Sequence, residues 1–256
     1  MMTFDFKNYN KWMYEFKKVF DHYDVSALID EYKNNDETLF IYDVTDAIGE
    51  EIVDTVKAVL KNKYDYIAFY HGTATDNITS YFEKGLLPLD IKERNLYARK
   101  FFNQEEYPKI TDELFLKATK EQFKDKNSLQ LRKNRLYFTL DNDVLKQRGL
   151  SHYLIYGGEH LLHLAQNLGS QYPRELPKKL TPLILKCRIP INLLSDENMK
   201  NLAHEVIVRF LENLIYPEYK FTPPDTGVYI TTKLEADNII GCEFPKEEEI
   251  ERGMRW

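Results

Sequence analysis

The sequence predicts an α+β fold built on a split, mainly antiparallel β-sheet with flanking helices. Three observations carry that prediction. Short runs rich in aromatic and β-branched residues alternate with amphipathic stretches of helical period. Their succession lacks the regular strand–helix–strand rhythm of a doubly wound parallel sheet. No Gly-x-Gly-x-x-Gly loop follows any of the runs, so a Rossmann-type fold lacks its own signature.

Composition sets outer bounds. A chain of 256 residues fits one large domain, or a compact domain carrying an N-terminal extension. The hydrophobic content of 43% is enough for a packed core. A net charge of −6 speaks against the broad basic field that a nonspecific nucleic-acid coat requires. The 18 Tyr and 15 Phe supply flat surfaces for packing or stacking. Cys187 and Cys242 stand far apart without metal-ligand spacing and read as buried free thiols in a reducing compartment. The first 20 residues mix charges with aromatics and contain no apolar signal core. No apolar run approaches the ~18 residues that span a bilayer, so the expected location is cytoplasmic, with no membrane partner.

In chain order, Phe4 to Tyr32 reads as one or two amphipathic helices, with Trp12, Phe16, Val19 and Phe20 at helical spacing. Thr38 to Tyr42 reads as a short strand. Asp43 or Thr45 then opens a helix to about Lys61, with Ile48, Ile52 and Val56 on one face. Residues 1–62 carry no recognisable chemistry and are expected to form an N-terminal helical extension that braces the fold or binds a regulator. The remaining domain is expected to span 63–256. It opens on the strand Tyr66 to Tyr70, which should end at a polar His71-Gly72-Thr73 corner where glycine permits a sharp turn and close ligand approach. Thr75 or Asp76 can cap a short helix from Asn77 to Lys84, which Gly85 would terminate.

From Asp90 to Lys133 the chain is charged and helical in character. It reads as a solvated insertion or, through Phe101, Phe102, Tyr107, Phe115 and a basic stretch from Lys117, as a loop facing a nucleic-acid or acidic protein target. Arg135 to Leu140 reads as a second strand. Tyr156-Gly157-Gly158-Glu159 leads into a helix with Leu161, Leu164, Ala165 and Leu168 on one face, ended by Gly169. A Pro-rich link from Tyr172 to Pro182, a strand from Leu183 to Ile189 and a helix from Asn198 to Leu214 follow. Thr222 to Gly227 is a turn cluster, and two last strands are expected, over Val228–Thr232 and within Ala236–Phe244.

Tyr70-His71-Gly72-Thr73, the short helix behind it and Gly85-Leu86 together resemble the first motif of the ADP-ribosyltransferase superfamily. The resemblance is to its poly(ADP-ribose)-polymerase-like and diphtheria-toxin-like branch, marked by a His-Tyr-Glu set. There the histidine and the glycine backbone hold the adenosine ribose and the nicotinamide amide of NAD. The resemblance thus implies that His71, Gly72 and Thr73 form the NAD-binding corner of an ADP-ribosyltransferase-like split sheet. Leu136-Tyr137-Phe138-Thr139 looks like the Ile-Tyr-Phe-Ala strand of the same enzymes. The tyrosine that packs on nicotinamide would then be Tyr156, with Tyr153 or Tyr137 nearby. A π face suits that role because it attracts the cationic pyridinium ring.

Gly227-Val228-Tyr229-Ile230-Thr231, with Ile239-Ile240-Gly241 beyond, looks like the last catalytic strand of the family. Val228 stands where the full set has glutamate. That carboxylate binds the nicotinamide-side ribose and stabilises positive charge as nicotinamide leaves, a role of the kind worth ~3 kcal/mol. Three accounts stay open. In the first, Glu159 is the donor, at a helix start where the dipole favours the ionised form, with Glu205 a weaker choice. The substrate supplies its own charge in the second account. In the third, the fold binds without turnover.

Other constellations are thinner. His160 and His163 stand i, i+3 on one helix with no further ligands evident, so no metal is expected. Walker, Gly-x-Ser-x-Gly and His-Glu-x-x-His motifs are absent from the sequence. The RNA 2′-phosphotransferases share His-Gly-Thr, but their additional arginine and histidine positions have no counterpart evident here. The resemblance therefore implies an NAD-consuming glycosyltransferase acting on a protein or nucleic-acid acceptor. An intracellular toxin or antiviral defence effector, held by an antitoxin or other regulatory protein, is the setting that analogy suggests. The rival is a non-catalytic binding module.

Overall fold

A computed structural model of the chain describes residues 1–35, 39, 41–122, 132–216, 224 and 227–251. The architecture is α+β: a mostly antiparallel six-stranded sheet with flanking helices. The strands are β1 (Thr3–Phe4), β2 (Tyr66–Thr75), β3 (Leu136–Thr139), β4 (Thr181–Pro190), β5 (Gly227–Ile230) and β6 (Ile239–Glu243). Their order is β5-β3-β2-β4-β6, with β1 paired in parallel to β2 so that Phe4 lies opposite Ile67. Strand β6 runs antiparallel to β4, Leu185 opposite Cys242, with a register shift between Lys186 and Cys187.

The chain divides into two compact units. The first comprises Met1–Phe69, Thr139–Asp141 and Arg188–Val228. Its helices are α1 (Tyr9–Phe20), α2 (Ser26–Asn35), α3 (Ile41–Ile48) and α4 (Glu51–Lys63), together with the 20-residue helix Asp196–Ile215. The spacing of Trp12, Phe16, Val19 and Phe20 buries all four on one face of α1. The Trp12 indole N–H donates to the Phe6 carbonyl at 3.0 Å, so its polar edge is satisfied inside the core. Phe20 stacks on Phe210 of the long helix with ring centroids 4.1 Å apart and planes 5° from parallel. Burying side chains of this size contributes ~1.5–3 kcal/mol each. Ser195 caps the long helix by accepting from the Asn198 N–H at 3.1 Å.

Two expectations fail in this unit. Residues 41 and 42 of the expected Thr38–Tyr42 strand begin helix α3 instead; residues 36–38 and 40 lie outside the described residues. The expected single helix to Lys61 is two, broken at Gly49, whose φ of +96° ends α3 while its N–H still bonds Thr45 O at 2.9 Å.

The second unit comprises Tyr70–Phe138, Asn142–Cys187 and Tyr229–Trp256. It holds α5 (Thr79–Lys84), α6 (Ile91–Phe101), α7 (Asp112–Gln122), α8 (His152–Tyr156), α9 (Glu159–Leu168) and α10 (Leu176–Lys179); the long helix Asp196–Ile215 of the first unit is α11. The Asp90–Gln122 stretch is no solvated insertion. Ala98, Phe101, Phe102, Ile110, Phe115 and Ala118 are buried against Leu161, Leu164, Ala165 and Leu168 of α9. The charges that suggested exposure belong to the opposite helix faces, and Arg99 folds back onto Asp112 and the Phe115 ring. The continuation of the basic stretch, residues 123–131, lies outside the described residues. Neither thiol is bridged, but only Cys187 is buried. Cys242 is exposed because it points outward from edge strand β6, as Ile240 does two residues earlier.

Candidate functional site

The expected corner at His71 is not a corner. Strand β2 runs straight through it to Thr75. Gly72 has no left-handed backbone; packing is what limits the space for a side chain there. A Cβ there would meet Leu145 Cδ2 at 2.9 Å and Leu154 Cδ2 at 3.4 Å. The period of two sends Tyr70 and Gly72 to that face, where Tyr70, Leu145, Leu154 and Ile184 form a core cluster. His71 and Thr73 point to the other face.

His71 is half-buried on the central strand of the sheet. Its Nδ1 lies 2.9 Å from the Tyr137 carbonyl of β3, which accepts the Nδ1 proton and so leaves the lone pair on Nε2. Burial lowers its pKa; the Tyr137 carbonyl acts the other way, and Arg94 lowers it further. The neutral ring is thus a fixed acceptor at Nε2. Thr73 is buried, with Oγ1 3.4 Å from the Tyr81 hydroxyl on α5.

Helix α6 brings residues that sequence reasoning did not single out. Asp90 caps it by accepting from the N–H groups of Lys92 and Glu93. Arg94, half-buried, donates from Nη2 to the Gly157 carbonyl at 2.7 Å and lies over the Tyr97 ring at 5.0 Å. The Tyr97 hydroxyl donates to Asp76 Oδ1 at 2.9 Å, just past the end of β2. Burial and then that hydrogen bond raise its phenol pKa well above the usual value. Arg94 and Tyr97 stand i, i+3 with a cation–π contact between them, a signal legible in the sequence once the stretch is taken as a packed helix.

Tyr156 closes α8 rather than opening the next helix. It packs, half-buried, against the cluster that includes Ala74 of β2. Gly157 and Gly158 then turn the chain with φ of +70° and +108°. A Cβ on Gly157 would sit 2.7 Å from the Ala74 carbonyl, so only glycine lets this turn approach the strand end. Glu159 does open a helix. Its carboxylate is engaged, however, by ion pairing with Arg132, and His152 Nε2 lies 3.3 Å away. The Tyr153 ring lies tilted by 37° against His152 with centroids 4.1 Å apart. Tyr137 is 37% exposed, and its ring lies 5.8 Å from Tyr229 while its carbonyl serves His71. The contacts form three sets, His71 with the Tyr137 carbonyl, Thr73 with Tyr81, and Arg94 with the Gly157 turn and Tyr97; Arg94 also acts electrostatically on His71, and Tyr156 packs beside the turn. Glu159 is held in a separate contact.

Val228 is fully buried. Glu205 lies on α11 in the first unit. His160 is occupied at both ring nitrogens, Nδ1 facing Gln122 Nε2 at 3.0 Å and Nε2 facing Asn95 Oδ1 at 3.1 Å. Among the described residues no group of three His, Cys, Asp or Glu could hold a metal ion, and no helix is long and apolar enough to cross a membrane. Comparison of the chain with protein-family models, with curated proteins and with solved structures found no match.

Proposed function

We propose that the chain is an NAD-dependent ADP-ribosyltransferase with the family's split-sheet fold, transferring ADP-ribose to a protein or nucleic-acid acceptor in the cytoplasm. The observation that carries this reading is the state of His71. Its ring is neutral, with Nδ1 committed to the Tyr137 carbonyl and Nε2 left as an acceptor, and the Arg94 charge acts on it in the direction that keeps it neutral. An acceptor of that kind suits a ribose hydroxyl, and a neighbouring guanidinium suits the charge of a dinucleotide.

In this reaction the bond between nicotinamide and its ribose breaks, nicotinamide leaves with the bonding pair, and an acceptor nucleophile bonds to the ribose carbon and loses its proton. His71 orients the adenosine ribose, and Gly72 and Thr73 shape the strand beneath it. Tyr156, with Tyr153 or Tyr137, offers an aromatic face to the nicotinamide. Glu159 holds the second ribose or takes the acceptor proton, which requires its Arg132 contact to open. The expected role as toxin or defence effector, with an antitoxin or other regulatory protein as partner, belongs to this same reading.

One set of observations favours a second reading, a binding module without turnover. Gly72 is packed by Leu145, Val228 is buried, and the Glu159 carboxylate is neutralised by Arg132. The deciding experiment incubates purified protein with labelled NAD and cell lysate, following nicotinamide release and label transfer. The transferase reading expects both, lost in His71→Ala and in Glu159→Gln. Loss in His71→Ala alone would move the missing charge to the substrate. Well-folded protein that neither releases nicotinamide nor binds NAD leaves the binding module.

A further inference from the structure

The two arginines of α6 are built for different purposes. Arg99 is saturated by its own fold: its guanidinium reaches Asp112 at 2.5 Å and the Phe102 carbonyl at 2.9 Å, and it lies over the Phe115 ring. Arg94 is not. Its guanidinium offers five N–H donors, and the described protein takes one, at the Gly157 carbonyl. No carboxylate among the described residues lies within ion-pair distance of it. Its remaining N–H donors are therefore open to an anion.

We propose that Arg94 is the phosphate-holding residue of the candidate site and that its ligand is the diphosphate of the dinucleotide substrate. The proposal rests on the NAD reading above and adds to it a residue outside the three motifs. The guanidinium is held in advance. Tyr97 supports its face at 5.0 Å, Asp76 fixes Tyr97 through the 2.9 Å hydrogen bond, and the Gly157 carbonyl anchors one nitrogen at 2.7 Å. The remaining donors form the planar edge that matches two phosphate oxygens at once. The charge is felt locally: Arg94 disfavours protonation of both His71 and His160, in each case after burial as the larger cause.

The test uses the full chain with arginine side chains labelled with ¹⁵N, titrated separately with inorganic pyrophosphate, ADP-ribose and nicotinamide riboside, which has no diphosphate. Pyrophosphate and ADP-ribose are expected to move the Arg94 Nε–H resonance. Arg94→Gln should weaken ADP-ribose binding at least tenfold and leave nicotinamide riboside within twofold of wild type. Arg94→Lys, which keeps the charge and loses the fork, should fall between and guards against a folding defect in the glutamine variant. If Arg94→Gln and Arg94→Lys both bind ADP-ribose as wild type does, the proposal is overturned while the NAD reading stands. If wild type takes pyrophosphate at Arg94 but neither ADP-ribose nor NAD, the NAD reading falls, and the dinucleotide as ligand falls with it.

Discussion

His160 and Asn95 join α9 to α6 through a 3.1 Å contact between imidazole Nε2 and amide Oδ1, and Gln122 closes the ring's other nitrogen from α7. The imidazole is therefore a structural group, neutral and bonded on both sides. Burial lowers its pKa to about 4, with Arg94 and His163 acting in the same direction. An unfolded histidine titrates near 6.5. Between those values the unfolded chain binds a proton that the folded one refuses. Stability therefore falls as pH drops from about 6.5 through 4, by ~3 kcal/mol at most from this group. Urea unfolding at pH 7, 6 and 5 should show a steeper loss in wild type than in His160→Gln. Equal slopes would contradict a neutral ring held on both sides in a half-buried position.

Gly72 gives a packing prediction. Gly72→Ala places a methyl 2.9 Å from Leu145 Cδ2, a side-chain end that can yield only by disturbing a buried cluster. The expected loss is ~1–2 kcal/mol, typical of overpacking, read as a lower urea midpoint at unchanged slope. Leu145→Val in the same chain should return at least half of it. If the double variant is no more stable than Gly72→Ala alone, the glycine is not there to admit Leu145.

Gly85 should tolerate substitution less well. It carries φ +77° at the end of α5, and a Cβ would lie 2.1 Å from the Leu234 carbonyl, a backbone atom held by the Leu86–Leu234 bridge. Strained φ and a backbone clash add, so Gly85→Ala should lose ~3 kcal/mol, more than Gly72→Ala. Thermal unfolding of both variants side by side checks the ranking, and the reverse order would contradict it.

These two glycines mark what the sequence could and could not convey. Gly85 after Lys84 is a local signal, because a helix that stops there needs a residue free to turn, and the helix end was legible from spacing alone. Gly72 depends on Leu145, more than 70 positions away in the chain, and a one-dimensional pattern carries no trace of that contact. Strand runs such as Leu136–Thr139 and Leu183–Ile189 were legible because their burial alternates or is continuous. The Asp90–Gln122 stretch was not, since its surface charges outnumber the few aromatics that anchor it. Arg94 was lost with that stretch: its meaning comes from Gly157 and Tyr97 in space, while Tyr156 and Glu159, neighbours in sequence, end up serving different contacts.

Tyr97 separates two contributions to the Arg94 arrangement, its hydroxyl and its ring. Tyr97→Phe keeps the ring beneath the guanidinium and deletes the donor to Asp76, so it should lose ~1 kcal/mol of stability. Its pyrophosphate affinity should change less than twofold, because the face that supports Arg94 remains. Tyr97→Leu removes the ring as well, leaving the guanidinium free to swing from the Gly157 carbonyl. A cation–π contact at a half-buried position is worth ~1 kcal/mol, so affinity should fall about fivefold relative to Tyr97→Phe. Titration of pyrophosphate into the two variants measures this difference. Equal affinities would mean that Arg94 is held by Gly157 alone and that Tyr97 serves only to pack α6.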